Sequence, residues 1–190
     1  MRRLTNPREL AALAHPVRIG ILELLSIEGP QTATELASRL GESPANCSWH
    51  LRKLAEFDFV QETGDGQGRR RPWRVTELGL SWDSDAVPTP ADHQLSMSVS
   101  EMMLERNFER LHAARVRVPE EPAEWRSAMG VSQSATWLTD EELAARNAEI
   151  SAILLRDIDR ISDPSKRPEG ARLCEFVAWG VPVTFGEAAS

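Results

Sequence analysis

The sequence has only two cysteines, Cys47 and Cys174, and they lie far apart in the chain. Cys47 also falls on a helix face that we predict to be buried, so we expect no disulfide framework. Long apolar runs are absent, and the first seven residues contain no apolar segment of the kind that a signal peptide needs. We therefore expect a water-soluble, cytoplasmic protein with no membrane contact.

The chain also lacks the sequence patterns that common enzymes use. No glycine-rich phosphate loop, pair of catalytic carboxylates or Ser/His/Asp set stands out. Internal repeats and low-complexity tracts are absent as well. With 190 residues and a hydrophobic content of 41%, the chain can bury one ordinary core or two small ones. We predict a globular protein that is not an enzyme, with no catalytic residues and no cofactor.

The charge is unevenly distributed along the chain. The formal net charge is -7, but up to Trp82 eleven Lys and Arg face ten Asp and Glu, which leaves a net charge of +1. Beyond Trp82 the net charge is -8. The stretch 83–91 is short, polar and contains prolines, which is typical of a connector. We predict one domain at 1–82, a linker at 83–91 and a second, acidic domain at 92–190.

Helix-capping signals predict four helices in the first domain. Asn6-Pro7 and Ser43-Pro44 each combine an N-cap residue with a proline at the first helical position. Thr32 and Glu35 fit a capping box, and Gly41 is suited to end the helix that they begin. Apolar spacing predicts one further helix between the first and the third. The third and fourth helices, joined by a tight turn, form a helix-turn-helix.

The fourth helix has one apolar and one polar face. At 100° per residue, Cys47, Leu51 and Leu54 point inward, and the opposite face is polar and basic. Asn can pair with adenine edges, Arg with guanine or phosphate, Ala with a thymine methyl, and Ser can donate to phosphate. Trp49 either contacts sugars and thymine methyls or packs sideways on the hairpin that follows. The residues predicted to contact DNA from this helix are Ser43, Ala45, Asn46, Ser48, Trp49, His50, Arg52 and Lys53.

A hairpin is predicted directly after this helix. Its strands contain Phe59 to Glu62 and Trp73 to Val75, and its tip reads Gly64-Asp65-Gly66-Gln67-Gly68-Arg69-Arg70-Arg71. The glycines permit the positive φ values of a tight tip. Three consecutive arginines cannot all face one way, so we expect one along a phosphate and another in the minor groove. A solvated basic hairpin is the alternative, but the position after a helix-turn-helix favours DNA contact by Arg69, Arg70 and Arg71.

The first domain contains three separated motifs in a fixed order. They are Ala14-His15-Pro16-Val17-Arg18-Ile19-Gly20-Ile21-Leu22-Glu23-Leu24-Leu25, then Ser48-Trp49-His50-Leu51-Arg52-Lys53-Leu54, then the glycine-arginine hairpin. In this order they resemble the arsenical-repressor (ArsR) family of winged-helix transcription regulators, over roughly residues 6–82. The resemblance implies a dimeric, operator-binding and usually repressing protein. Metal-sensing members of that family carry a cysteine-rich motif on the helix before the recognition helix, and residues 34–40 contain no cysteine or histidine here.

A long helix from Asp92 to Arg115 begins the second domain. It has two apolar stripes, the first with Leu95, Val99, Met102 and Met103 and the second with Met97, Leu104, Phe108 and Leu111. A helix that is apolar on two sides needs two partners, which its own domain and a second subunit can supply. We predict a homodimer whose recognition helices lie about one DNA turn, ~34 Å, apart. The predicted interface residues are Leu95, Val99, Met102, Met103 and Leu111.

The rest of the second domain is predicted to be a small α+β unit. Ser134 to Leu138 is predicted as a strand, and Thr139 begins a capping box and a helix. The apolar segment from Leu173 to Val183 is rich in strand formers and is predicted to pair with the first strand. The whole chain is therefore predicted to be mostly α with small β (α+β). It consists of an N-terminal winged helix-turn-helix, a long dimerisation helix and a small α+β C-terminal domain.

Two groups of residues in the second domain were considered as ligand sites. His93 and His112 lie on the long helix, where dimer-interface metal sites occur in the resembled family. Asp92 and His93 are adjacent and diverge by 100°, so they do not converge on one ion without further ligands. We expect surface or interface histidines and no metal site. An apolar effector pocket could form from aromatic residues that otherwise pack in a core, namely Trp125, Trp137, Phe176 and Trp179.

The leading hypothesis is a homodimeric, sequence-specific regulator of the ArsR-like type that binds double-stranded DNA. We expect a repressor that a small-molecule effector could release, because the missing cysteine motif shifts the signal away from metal. The alternatives are a metal-responsive repressor and a winged helix used for protein contact. Trp49 and the acidic charge are the features that favour the last of these.

Overall fold

The computed structural model of the protein describes residues 2–4, 6–64, 71–82 and 89–184. The chain divides into two compact units, Met1–Phe108 and Glu109–Ser190. This division falls within the long helix and not at the predicted connector, 83–91. The first part of the long helix therefore belongs to the same unit as the helix-turn-helix.

The first unit combines helices with short strands. Its helices are α1 (Pro7–Leu13), α2 (Pro16–Glu28), α3 (Ala33–Leu40), α4 (Pro44–Ala55) and the first part of α5 (Pro90–Arg117). Its strands are β1 (Arg2–Leu4), β2 (Val60–Glu62), β3 (Trp73–Val75) and β4 (Leu80–Trp82). The second unit contains the end of α5, then α6 (Ala123–Ala128), α7 (Asp140–Leu154) and α8 (Asp159–Ser162). The mostly helical fold class with few strands is confirmed.

The starts of α3 and α4 follow from the caps that the sequence predicts. The Thr32 side-chain oxygen accepts from the Glu35 amide at 3.3 Å, and the Glu35 carboxylate accepts from the Thr32 amide at 2.7 Å. The Ser43 hydroxyl accepts from the Asn46 amide at 3.1 Å. Gly41 has a φ of +69°, in the left-handed region that glycine adopts most easily, and it ends α3. These local signals set the tight turn between the two helices.

Two small sheets frame the helices of the first unit. β2 and β3 pair antiparallel, with Val60 opposite Val75, and Trp73 also exchanges backbone hydrogen bonds of 3.0 and 2.7 Å with Gln31. The hairpin is thus fixed to the segment between α2 and α3. β1 pairs in parallel with β4, with Arg2 opposite Leu80. The Arg2 guanidinium donates to the carbonyl oxygens of Asp58 at 2.8 Å and Phe57 at 2.9 Å, just beyond α4.

One apolar core holds the first unit together, and α5 contributes to it. Val99 is 0% exposed and joins the core cluster. Leu95, Met102 and Met103 are partly buried and pack against the same cluster. The stripe that supplied four of the five predicted dimer contacts is therefore packed on its own unit, which corrects that assignment. The α1–α4 and β2 residues of this core are Leu10, Ala12, Leu13, Ile21, Leu25, Leu36, Ala37, Cys47, Leu51, Leu54 and Val60.

The second unit keeps the predicted helix but not the predicted strands. The Thr139 capping box is present, since the Glu142 amide donates to the Thr139 hydroxyl at 3.2 Å and the Thr139 amide donates to the Glu142 carboxylate at 2.9 Å, and α7 begins after it. The segments 134–138 and 173–183 have no strand pairing in this part of the structure, so those two strand predictions were wrong. Strand-forming side chains express that preference only when a neighbouring strand and a surface to cover are present. Within the described residues of the unit, neither segment has a neighbouring strand.

The second unit leaves its large apolar side chains exposed. Among its described residues, 109–184, none is buried. Trp137 is 98% exposed and Phe176 76% exposed, and Leu173 and Val183 are exposed as well. Single exposed apolar side chains are common on protein surfaces, but in this unit most of the large ones are exposed. In the described part of the chain no single helix could span a membrane, and α1 with α2 would reach that length and hydropathy only as a pair bent by 87°.

Candidate DNA-binding surface

Helix α4 is anchored by one face and leaves the other face at the surface. Cys47, Leu51 and Leu54 are fully buried, as the helical spacing predicts. Four of the residues predicted to contact DNA are exposed, and three are half-buried at the edge of the face. The exposed ones are Ser43, Ala45, Trp49 and Arg52, and the half-buried ones are Asn46, Ser48 and Lys53.

His50 is the exception among the predicted DNA contacts. It is 2% exposed, and its ring lies 4.3 Å from the ring of His15, at the start of α2. A side chain buried in this way does not reach DNA, so its assignment as a DNA contact is corrected. His50 lies next to Leu51 on the flank of the buried face, and the N-terminal end of α2 covers that flank. Helical periodicity gives the direction of a side chain but not which neighbouring element covers it.

Trp49 presents a large aromatic surface in the middle of the exposed face. It is 48% exposed. Its ring packs edge-on against His50 at a centroid distance of 4.8 Å, and the Lys53 ammonium lies 6.0 Å from the ring centroid. These contacts come from its own helix and hold the indole in place. The half of the ring that remains exposed is available for sugar and thymine-methyl contacts.

Acidic side chains partner the polar groups at both ends of the face. The Lys53 ammonium donates to both carboxylate oxygens of Glu56, at 2.9 and 3.0 Å. The Asn46 amide donates to Glu42 at 2.8 Å. Exposed pairs of this kind contribute about 0.2–1 kcal/mol, so a phosphate can replace the carboxylate at little cost. In the absence of DNA, the Glu56 carboxylate therefore neutralises the Lys53 ammonium on this face.

The hairpin lies beside α4 in the chain and brings further arginines to the first unit. Gly64 has a φ of +77°, as expected for the start of a tight tip. Arg71 is exposed, and its guanidinium lies 3.9 Å from the Glu62 carboxylate. Arg74 follows the half-buried Trp73 on β3 and is also exposed. It is a further candidate for DNA contact, outside the run of three arginines at the tip. Arg69, Arg70 and the other tip residues at 65–68 lie outside the described residues.

The candidate ligand residues of the second domain are dispersed. His93 and His112 are both exposed, and nowhere in the described ranges do three or more His, Cys, Asp or Glu side chains group as a metal site. Trp125 packs under the Arg172 guanidinium, which lies 4.6 Å from the ring centroid. Of the four predicted effector residues, Trp179 alone lines a described cavity, an open one of about 260 Å³. Its other lining residues are Asn147, Ile150, Ser151, Leu154, Ala178 and Gly180.

Comparisons with known proteins bear on the first unit. A family model described as a helix-turn-helix domain matches residues 13–63, which contain α2, α3, α4 and β2. This match supports a DNA-binding transcription regulator with a helix-turn-helix, and it does not distinguish the arsenical-repressor-like family from other winged-helix regulators. No curated protein matches the chain.

Two solved structures share a low level of similarity with the chain. One is the transcriptional regulator Tm0710 from Thermotoga maritima, with 15% identity and a TM-score of 0.30 over 75% of this chain and 77% of that chain. The other is NMB1585, a MarR family regulator from Neisseria meningitidis, with 14% identity and a TM-score of 0.32 over 77% and 78%. Identities and TM-scores this low do not identify a family.

Proposed function

We propose that the protein is a homodimeric transcription regulator that binds double-stranded DNA through α4 and the β2–β3 hairpin. The observation that carries this proposal is the division of α4. Cys47, Leu51 and Leu54 on one side are fully buried, while Ala45, Trp49 and Arg52 on the other side are exposed. A helix anchored in this way can enter the major groove without exposing its core.

The residue types on this surface fit separate parts of a DNA site. Asn46 and Arg52 have the donors and acceptors that read base edges, and Trp49 offers an apolar surface to thymine methyls. On binding, the Lys53 ammonium leaves the Glu56 carboxylate and donates to a phosphate. Arg71 and Arg74 on the hairpin supply further phosphate contacts. Neutralising phosphates in this way makes binding strongly dependent on salt.

We infer a homodimer from the second apolar stripe of α5. Met97 is 52% exposed and Phe108 57% exposed, although both lie in the unit that contains the core. Leu104 on the same stripe is half-buried. A second copy of the chain would cover this stripe, and a two-fold arrangement gives two recognition helices for two half-sites. The dimer contacts therefore move from the first stripe to Met97, Leu104, Phe108 and Leu111.

We also propose that the regulator is a repressor of the ArsR-like type and responds to a small molecule. The motifs at 14–25 and 48–54 support the family, and the absence of cysteine and histidine from 34–40 favours an organic effector over a metal. The cavity beside Trp179 is the candidate effector site within the second unit. A winged helix that contacts protein is the second candidate function, and the exposed half of Trp49 is the observation that favours it.

Selection of bound sequences from random double-stranded DNA tests the binding and the dimer together. The expected product is an inverted repeat whose half-sites are about 10 base pairs apart, centre to centre. A single half-site would contradict the homodimer, and failure to enrich any sequence would contradict DNA recognition. If a protein partner occupies this face instead, DNA will not compete with that partner.

The selected site then allows a test of the named residues. Arg52→Ala with Lys53→Ala is expected to reduce the dependence of log K on log salt by about 0.9 per protomer, because the Lys53 phosphate contact is removed. It is also expected to weaken binding to the selected site by about 1–3 kcal/mol per protomer, because the Arg52 base contact is removed. The matched control is Arg160→Ala with Lys166→Ala, which removes the same two charge types from exposed positions in the second unit. Equal affinity and slope in the α4 variant and the wild type would refute the assigned surface.

A further inference from the structure

Two histidine rings pack together where α2 begins and α4 passes, with His50 buried and His15 half-buried. The centroids of His15 and His50 are 4.3 Å apart, and the planes are tilted by 43°. His50 lies on the recognition helix, one residue after the exposed Trp49. The pair therefore joins the helix that is proposed to read DNA to the helix that supports it.

The hydrogen bond of His15 requires a neutral ring. The Val17 amide donates to Nδ1 of His15 at 3.2 Å, so His15 caps α2 through the lone pair of that nitrogen. The other ring nitrogen of a neutral histidine carries the proton, so a second proton has to bind at Nδ1 and displace the cap. The resulting cation would also lie at the positive end of the α2 dipole. Protonation of His15 thus removes a favourable contact and adds an unfavourable one.

The surroundings of His50 also disfavour a charge. Its Nδ1 atom is buried and has no hydrogen-bond partner in the described structure. Burial lowers the pKa of His50, and the charges of His15 and Arg18 lower it further. Burial and Arg18 lower the pKa of His15 in the same way.

Among the groups that face the pair, one opposes this effect. The Glu42 carboxylate, in the turn before α4, acts to raise the pKa of both rings, but burial and Arg18 outweigh it. Glu42 is also engaged by the Asn46 amide. Cys47 on α4 is buried, and burial together with Glu42 raises the pKa of its thiol, so it stays uncharged. A positive charge on either ring is therefore disfavoured by burial and by Arg18, and that on His50 also by His15. The Glu42 carboxylate is the group that favours it.

We infer that the His15–His50 pair makes DNA binding by α4 sensitive to pH, and that the DNA-binding form requires both rings to be neutral. This inference rests on the proposed DNA-binding function. Protonation separates the rings and removes the cap of α2, so α4 loses support on the flank of its buried face, beside Trp49. DNA is then released in mild acid.

The direction of the pH effect follows from linkage. A histidine whose pKa is lowered by folding contributes stability that is complete above its ordinary pKa of about 6.5 and is lost as the pH falls below that value. DNA binds the folded chain, so each ring that must be neutral weakens binding only below its own lowered pKa, by up to about tenfold per pH unit there. An ordinary electrostatic effect has the opposite sign, because added positive charge strengthens binding to DNA. A loss of affinity on acidification is therefore diagnostic of the pair.

The test measures affinity of the full chain for its selected DNA site by fluorescence anisotropy between pH 7.5 and 5.5 at constant salt. The affinity of the wild type is expected to fall as the pH drops below 6.5, more steeply towards pH 5.5, by up to about tenfold per pH unit for each ring once the pH is below its pKa. His15→Asn with His50→Gln is expected to bind with constant or rising affinity as the pH falls, since the Asn oxygen retains the cap. The control His93→Asn with His112→Asn removes the two exposed histidines and should behave as the wild type.

The outcomes separate this inference from the function on which it rests. If the wild type binds DNA at pH 7.5 with an affinity that changes less than twofold by pH 5.5, the inference is overturned and the proposed function stands. If the wild type fails to bind DNA at pH 7.5, both fail. If the His15/His50 variant retains the full loss of affinity, the pair is not the sensor. Should that variant not fold, NMR titration of the four wild-type histidine rings decides, because two must titrate below pH 6.5, over the range where DNA is released.

Discussion

The two faces of α5 can be separated by replacing Val99 and, as a control, Met97. Val99 is 0% exposed in the core of the first unit, and Met97, two residues earlier, is 52% exposed on the other side of the same helix. Val99→Ala removes two buried carbon groups, which contribute about 0.8 kcal/mol each by transfer, and leaves a small cavity. The expected loss in the free energy of unfolding is about 2–3 kcal/mol.

Urea unfolding followed by tryptophan fluorescence measures this loss. With an m value of about 1–2 kcal/mol per molar urea, the midpoint should fall by about 1–3 M in Val99→Ala. This fall should not depend on protein concentration, because Val99 packs within one chain. Met97→Ala should change the midpoint little at low protein concentration, and any loss should grow under conditions where the dimer contributes stability.

Two results would refute the placement of α5 in the first unit. One is a Val99→Ala variant whose free energy of unfolding lies within about 0.5 kcal/mol of the wild type, the range of ordinary surface changes. The other is a Met97→Ala variant that loses as much stability as Val99→Ala at every protein concentration. Either result would return the first stripe to the dimer interface, as the sequence alone suggested.

Two further predictions concern the helix-turn-helix. Thr32→Ala removes one half of the capping box of α3 and should lower the free energy of unfolding by about 1 kcal/mol. Calorimetry should show this as a fall in Tm of about 4–8 °C for a domain of this size. An unchanged Tm would show that Glu35 alone satisfies the helix end. Glu56→Gln frees the Lys53 ammonium and removes a negative charge near DNA, so affinity should rise several-fold in low salt and return towards the wild-type value in high salt. A salt-independent change, or weaker binding, would contradict the role assigned to Lys53.

Local signals explain why much of the first unit could be predicted from sequence. The caps at Thr32 and Ser43 and the glycine at 41 act within a few residues, and each forms in the structure as the sequence predicts. The inward direction of Cys47 and Leu51 follows from helix geometry alone. Such features do not depend on which distant element packs nearby.

The failures arise where distant parts of the chain decide the outcome. His50 lies at the edge of the inward face, and whether that edge is exposed depends on α2, some thirty residues earlier in the chain. The two stripes of α5 look equivalent in the sequence, and the packing of Val99 distinguishes them. The turn after α4 could not be predicted from local signals either. Asp58 there adopts a φ of +58°, a left-handed conformation that usually marks a glycine.

The second unit shows the limit of propensity more directly. The segment 173–183 is rich in strand formers, yet it has no strand partner in the described structure. Trp137 is nearly fully exposed where the sequence pattern predicted a strand or a pocket. Pairing and burial of these residues depend on surfaces that a single chain's sequence does not place next to them.

The parallel pairing of β1 with β4 imposes an order on folding. Arg2 lies opposite Leu80, so the first strand of the unit has to wait for the last one before it can pair. The contacts between α3 and α4 are local and form early, whereas closing a loop of this length carries an entropic cost that is recovered late. During synthesis the recognition helix therefore emerges before β4, and β1 can pair with β4 only after α4 has left the ribosome. The pairing of Arg2 to Leu4 with β4 is thus expected to form later than the helix-turn-helix.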